Sequence, residues 1–167
     1  MPYSSLSIAT VLIGQVMQRL KLTWLANKGG TPTQTASTFK RLFFITIFML
    51  LLNWVISWLP WMAPSVFYKD ANGLPSGPYL YVSIAEQVID GAFTLFILIL
   101  ICKTRMHIRK RYNIAEKYCH GCEDCCCAYW CTCCTVAQMA RHTGDYDTYA
   151  ARCCTKTGMS SNAPSIV

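Results

Sequence analysis

The cysteines of this chain are confined to one segment. All 11 lie between Cys102 and Cys154, and no cysteine precedes them. Three C-x2-C steps recur there, and such a step lets two sulfurs from one turn of chain reach the same ion. Thiolates are soft ligands that favour Zn²⁺, Cd²⁺ and Cu⁺, so we predict a site for zinc or another soft divalent metal. The overlapping steps differ from a standard zinc-ribbon spacing. The predicted ligands are Cys119, Cys122, Cys125, Cys126, Cys131 and Cys134.

Two other fates compete with metal binding for these thiols. Cysteines beside a basic juxtamembrane segment are candidates for S-palmitoylation, and Cys102, Cys153 and Cys154 fit acylation better than a metal site. The cluster can also pack as small apolar residues against a membrane. Because 11 is an odd number, complete pairing into internal disulfides is excluded. Two nearby histidines, His120 and His142, are either additional ligands or ordinary surface residues.

Two apolar segments precede the cysteines and must position them. The composition, 53% hydrophobic and 14% charged, is poor in charge for a soluble domain. Leu42 to Met62 carries no charge and is long enough, at about 1.5 Å per residue, to cross roughly 30 Å of hydrocarbon. We predict a transmembrane helix there and a second over Leu80 to Cys102. Because Glu86, Gln87 and Asp90 lie in its first half, a shorter interfacial or re-entrant segment is the alternative.

Basic residues lie at one end of each apolar segment. Lys40 and Arg41 precede the first. The second is followed by Lys103, Arg105, Arg109, Lys110 and Arg111. Since Lys and Arg close to a span are retained on the cytoplasmic side, we predict that both termini are cytosolic. The expected location of this integral membrane protein is the plasma membrane. The cysteines would then face a reducing compartment, where structural disulfides are improbable.

Charge and motifs together indicate which partners and activities are expected. A formal net charge of +7 suits a bilayer with anionic lipid headgroups. Nucleic acid is not an expected partner, because the basic residues cluster at the ends of the apolar segments and lack a groove-reading motif. Nor is an enzyme expected, since the sequence offers no nucleophile paired with a base and no glycine loop for phosphate.

Polar residues within the apolar segments share helical faces. On the second segment, Glu86 and Asp90 lie four residues apart and therefore on one face. The first segment offers Asn53 at a depth similar to that of Asp90, so the two side chains are expected to meet in an antiparallel hairpin. An ionisable group at that depth costs several kcal/mol unless it is paired, protonated or hydrated. We therefore predict an ion path along Glu86, Asp90 and Asn53; hydrogen-bonded helix packing is the alternative.

These elements give an all-α membrane protein: a transmembrane helical hairpin followed by a cytosolic cysteine-rich segment with short helices. Apolar positions from Ala9 to Trp24 recur at three-and-four spacing, which predicts an amphipathic helix that either lies in the membrane interface or packs against the protein. We divide the chain into an N-terminal helix and linker (1–39), the hairpin (40–104), the cysteine-rich region (105–143) and a mobile polar tail (144–167).

Three motif elements follow the second apolar segment in fixed order. They are C-x-D-C-C at 122–126, C-x2-C at 131–134 and Q-x2-R at 138–141, preceded by a basic stretch that starts at Arg105. In this arrangement the chain resembles the placenta-specific eight family, which includes plant cadmium-resistance proteins and cell-number regulators. The resemblance implies that Asp124, Gln138 and Arg141 are family-type positions, together with the cysteines around them. Ala137 stands where many members have another cysteine.

The resemblance implies a cysteine-rich membrane protein with a role in heavy-metal or calcium movement, in the control of cell number, or in both. Two hypotheses follow. In the first, a homo-oligomer transports a divalent metal ion, with cytosolic thiols capturing the ion and the Glu86/Asp90 face admitting it. In the second, the chain is a membrane-anchored regulator or scaffold. Its cysteines would be acylated or hold zinc, and its cytosolic face would bind protein partners.

Overall fold

A computed structural model describes residues 3–23, 25, 34, 37–62, 77–115, 123–152, 155–160 and 162–163. In these ranges the regular structure is helical. The helices are α1 (Tyr3–Arg19), α2 (Thr38–Met62), α3 (Gly77–Tyr112), α4 (Glu123–Trp130) and α5 (Thr132–Thr143). Over the described residues there is no strand beyond an isolated bridge between Ala151 and Met159. The prediction of an all-α fold is confirmed for this part of the chain.

Two helices, α2 and α3, are long and apolar enough to cross a membrane by length and composition. Few side chains in their apolar parts are buried. The predicted segment Leu42 to Met62 lies within α2. The second predicted segment is the middle of α3, which runs without a break through the basic residues that follow. At about 1.5 Å per residue, the 36 residues of α3 extend for roughly 54 Å, well beyond the thickness of a hydrocarbon core.

The chain forms two compact units. One unit, residues 47–95, holds most of α2 and the first half of α3. The other contains α1, the start of α2, the end of α3, α4, α5 and the C-terminal segment. In this second unit α1 packs against α5, and α4 packs against α5 as well. Its core is apolar, with the largest fully buried side chains at Ile13, Met17, Leu22, Leu42, Ile97, Leu100 and Ile101.

Helix α1 packs against the protein rather than lying free on a surface. The predicted apolar stripe is buried at Ala9, Ile13, Val16 and Met17, which decides between the two alternatives left open by the sequence. The helix ends at Arg19, five residues before the predicted end at Trp24. Burial of the stripe supplies the free energy that an isolated helix of this length lacks in water.

The described part of the C-terminal segment is held by α1. The buried guanidinium of Arg19 donates hydrogen bonds to the carbonyl oxygens of Thr157 (2.5 Å) and Ala140 (3.2 Å). It also donates to the Tyr146 hydroxyl at 2.5 Å, and Gln15 Nε2 donates to the Thr155 carbonyl at 2.9 Å. Two polar side chains of α1 thus bind Tyr146, Thr155 and Thr157. The mobile polar tail expected from residue 144 onward stays a prediction.

Replacing Gly158 with alanine is expected to destabilise the fold. Gly158 has a φ of +70°, and a Cβ built there lies 2.6 Å from Gln15 Oε1 and 2.9 Å from Arg19 Nη2. The positive φ and the crowding should together lower the free energy of unfolding by about 1–3 kcal/mol. Denaturant titration of the full chain in detergent measures this loss. Gly91→Ala is the control, because a Cβ at Gly91 meets nothing within 4 Å; equal losses in both variants would contradict the prediction.

Candidate functional site

Over residues 123–143, the structure shows two short helices of the cysteine-rich segment joined at one residue. Helix α4 ends at Trp130, Cys131 follows, and α5 begins at Thr132. The sulfurs of Cys131 and Cys134 form a disulfide, with a Cα–Cα distance of 5.4 Å that lies within the usual range for such a bond. Structural disulfides were expected to be improbable because the cysteines were predicted to face the reducing cytosol. The structure differs from that expectation in having this disulfide. The C-x2-C step at the start of a helix brings the two sulfurs together, the same proximity that would serve a shared metal ion.

The other predicted metal ligands are placed only in part. Cys125 and Cys126 are exposed free thiols on α4. Cys119 and Cys122 lie outside the described residues, as does His120, while His142 is exposed on α5. In the described ranges, no group of three or more His, Cys, Asp or Glu side chains is arranged to hold a metal ion. The six-cysteine site therefore stays a prediction.

Of the three acylation candidates, the structure describes only Cys102. Cys102 is 7% exposed within α3, and its thiol hydrogen-bonds the Cys125 side chain. A buried thiol is not accessible to an acyl donor, so the structure does not favour Cys102 as the modified residue. Cys153 and Cys154 lie outside the described residues. The thiols that the structure exposes are those of Cys125, Cys126 and Cys133.

The motif aspartate, Asp124, is the buried centre of an ion-pair cluster. Its carboxylate is 3% exposed and accepts hydrogen bonds from Arg105 Nε at 2.8 Å and from Arg109 Nη1 at 2.9 Å. Glu123 adds a contact to Arg109 Nη2 at 3.3 Å. A buried carboxylate is costly unless it is paired and hydrogen-bonded, and two guanidinium groups satisfy this one. The cluster fixes the start of α4 to the basic end of α3.

The remaining motif residues take different positions. Gln138 Oε1 accepts a hydrogen bond from Arg105 Nη1 at 3.4 Å, so the glutamine borders the ion-pair cluster. Arg141 is exposed and lines a cavity of about 390 Å³ beside Asp145. The Asp145 carboxylate accepts hydrogen bonds from Thr148 and from the Asp147 backbone N–H, which hold the pKa of Asp145 below its ordinary value. The motif thus contributes mainly to the join between α3, α4 and α5.

Sequence reasoning identified Asp124 only through the resemblance and did not predict its partners. Arg105 and Arg109 were interpreted as topology signals and as part of the basic stretch that precedes the motif. One feature of the sequence could have indicated this pairing. Glu123 and Asp124 form an acidic pair that follows a strongly basic helix end, and opposite charges so placed are expected to pair where the chain turns back.

The predicted contact between the two long apolar helices is formed. Asn53 Nδ2 of α2 donates a hydrogen bond of 2.7 Å to Asp90 Oδ1 of α3. About one helical turn away, the Ser57 hydroxyl donates to Glu86 Oε1 at 3.4 Å. Asn53, Glu86 and Asp90 are all half-buried. The expectation that Asn53 and Asp90 meet is confirmed, and the two carboxylates lie along one stripe that joins the two helices.

This stripe has two chemical capacities. Hydrogen bonds between polar side chains join apolar helices, which is a packing role. Carboxylate and amide oxygens are also ligands for divalent cations, and carboxylates one turn apart form successive sites for a cation. The geometry accommodates both.

Comparison with known proteins adds one finding. The model of the PLAC8 family matches residues 3–142, which include α1, both long helices and nearly all of the cysteine-rich segment. No curated protein matches the chain. No solved structure matches it either.

Proposed function

Because this chain belongs to the PLAC8 family, we propose that it is an integral membrane protein that acts in the transport or homeostasis of divalent metal ions. Cadmium, zinc and calcium are the candidate ions. The observation that carries the proposal is the pair of polar contacts between α2 and α3, Asn53 with Asp90 and Ser57 with Glu86. These contacts lie in the apolar stretches of α2 and α3, where few side chains are buried.

The placement of the carboxylates supports an ion path. An ionisable side chain inside a bilayer faces a helix interface or a hydrated cavity and commonly marks a path for ions or protons. Glu86 and Asp90 supply two carboxylates about one turn apart, and Asn53 supplies an amide beside the second. Since two helices cannot enclose a path on all sides, the transporting form is a homo-oligomer whose stripes converge.

The thiols supply a capture site for the ion. Cys125 and Cys126 are exposed on α4, and soft divalent metals prefer thiolate ligands. Reduction of the Cys131–Cys134 pair would add two thiolates whose Cα atoms are 5.4 Å apart. With the basic end of α3 on the cytoplasmic side, these sulfurs would face the cytosol, consistent with an exporter in the plasma membrane.

Disrupting the Cys131–Cys134 pair is expected to abolish thiol-dependent export. In metal-sensitive cells given an equal cadmium load, the parent chain should lower retained cadmium, measured by elemental mass spectrometry. Cys131→Ser/Cys134→Ser should restore retention to the level of cells without the chain, because two soft ligands are lost. Cys133→Ser is the matched control, since this exposed thiol lies between the paired residues and should leave most of the effect. Equal retention with parent and double variant, at matched membrane expression, would count against the proposal.

The second candidate function is a membrane-anchored regulator or scaffold that controls cell number or growth. The buried position of Asp124 favours it, because the motif then serves to hold α4 and present an outer surface to protein partners. Acylated or zinc-holding cysteines would serve the same end. Under this alternative, substituting the cysteines changes the localisation or the co-purified partners of the chain and leaves cellular metal unchanged.

A further inference from the structure

One face of α4 is exposed and uncharged. Cys125, Cys126, Tyr129 and Trp130 recur at the spacing of a single helical face, and all four are exposed. Tyr129 is 68% exposed and Trp130 is 83% exposed. The opposite side is buried at Ala128, which lies under α5. Two adjacent large aromatic side chains at such exposure form an apolar patch of the kind that contacts a membrane or another protein.

The position of α4 along α3 indicates what that environment is. Asp124 is bound by Arg105, and Cys125 contacts Cys102, the last residue of the apolar part of α3. The start of α4 therefore lies at the level where the apolar segment ends. An eight-residue helix is about 12 Å long, so Cys125 and Cys126 lie within about 6 Å of that level, and Trp130 lies at a similar depth when α4 is inclined toward the membrane plane. The polar zone of a bilayer extends roughly 5–8 Å beyond the hydrocarbon on each side.

Charge around this level complements a lipid surface. Lys103, Lys110 and Arg111 are exposed at the same end of α3, and each basic residue near a membrane surface attracts anionic headgroups. Trp and Tyr are enriched at membrane interfaces, since their rings are apolar and their polar atoms remain hydrated. The α4 face itself carries no charge that would have to be desolvated.

We propose that the α4 face formed by Cys125, Cys126, Tyr129 and Trp130 lies in the headgroup region of the cytoplasmic leaflet, against anionic lipid. The inference rests on the proposed insertion of α2 and α3 in the membrane. It adds a second membrane contact outside the two spans, and it places two free thiols at the bilayer surface, where ions approaching anionic lipid are concentrated.

Fluorine NMR of the full chain tests this placement. The chain is labelled with 5-fluorotryptophan and reconstituted in bilayers of phosphatidylcholine and phosphatidylserine. The resonance missing from the Trp130→Phe spectrum is that of Trp130. Its broadening is then compared between lipids that carry a nitroxide near the headgroup and a water-soluble gadolinium chelate. We expect the lipid nitroxide to broaden Trp130 several-fold more than the chelate does. Trp54 and Trp58 of α2 are internal reporters of insertion.

The outcomes separate the inference from the proposed insertion. Strong broadening of Trp130 by the chelate, with Trp54 and Trp58 protected, would overturn the lipid contact and leave insertion standing. Broadening of all three by the chelate would overturn both. A Trp130 resonance shielded from both agents would assign the face to a protein contact or a second copy, and would overturn the lipid assignment as well.

Discussion

Asp124→Ala is expected to lower the free energy of unfolding by about 3–5 kcal/mol, because it leaves Arg105 and Arg109 without their shared carboxylate. Asp124 is nearly fully buried between them, so water cannot replace it without opening the join between α3 and α4. Release of α4 should also expose Cys102, which is buried beside Cys125. Denaturant titration measures the stability loss. Maleimide labelling followed by peptide mass spectrometry measures the accessibility of Cys102 separately from the other thiols.

Glu123→Ala is the matched control for that substitution. Glu123 is the neighbouring acidic residue, is more exposed at 19%, and meets Arg109 at the longer distance of 3.3 Å. Pairs of this kind contribute about 1 kcal/mol or less. The control should therefore keep Cys102 protected and cost much less stability than Asp124→Ala. If the two variants lost similar stability, Asp124 would not be the anchor of α4.

Asp90→Asn is expected to abolish metal movement while leaving the chain inserted. Asparagine has nearly the same size as aspartate and can still accept the hydrogen bond from Asn53, so the contact between α2 and α3 persists. The negative charge that would attract a divalent cation is lost. In the cadmium-loaded cells, retention should rise to the level found without the chain. Elemental mass spectrometry reports retention, and membrane fractionation reports insertion.

Gln87→Asn controls for substitution in the same turn of α3. Gln87 is exposed and neutral, and the change shortens the side chain without altering charge. Retained cadmium should stay as low as with the parent chain. If Asp90→Asn also kept retained cadmium as low as the parent chain does, the Asn53–Asp90 bond would serve helix packing alone. The regulator or scaffold would then become the preferred function.

Local patterns in the sequence were sufficient for the existence of α1, for the apolar parts of α2 and α3, and for one contact between α2 and α3. The uncharged segment from Leu42 to Met62 predicted a long helix, because a backbone placed in hydrocarbon has to satisfy its own hydrogen bonds. The meeting of Asn53 and Asp90 follows from helical spacing and an antiparallel hairpin alone. The stripe of α1 likewise predicted which of its residues are buried.

Contacts between distant segments were not predictable in this way. Arg19 lies outside the apolar stripe of α1 and is buried because carbonyl oxygens more than a hundred residues away accept its hydrogen bonds. The mobile tail was predicted from polar composition, which does not report such contacts. The disulfide between Cys131 and Cys134 was judged improbable from the expected compartment, whereas its geometry follows from helix α5 starting between the two residues.

The ion-pair cluster around Asp124 was predictable in part: its charged residues are evident in the sequence, and the contacts between them are not. Its members were visible as charges in the sequence, but their pairing depends on α4 turning back onto the basic end of α3. Periodicity describes one helix at a time and carries no information on that turn. The resemblance named Asp124 as a family-type position, and the structure supplies a physical reason for an aspartate there.

Metal entry into sealed liposomes that contain the purified chain tests the central proposal most directly. A metal-sensitive dye inside the liposomes records cadmium or zinc entry after external addition, with protein-free liposomes as the baseline. We predict entry several-fold above that baseline for the parent chain and baseline entry for Asp90→Asn reconstituted in equal amount. Baseline entry for the parent itself, in liposomes where insertion is verified, would contradict metal transport by this chain.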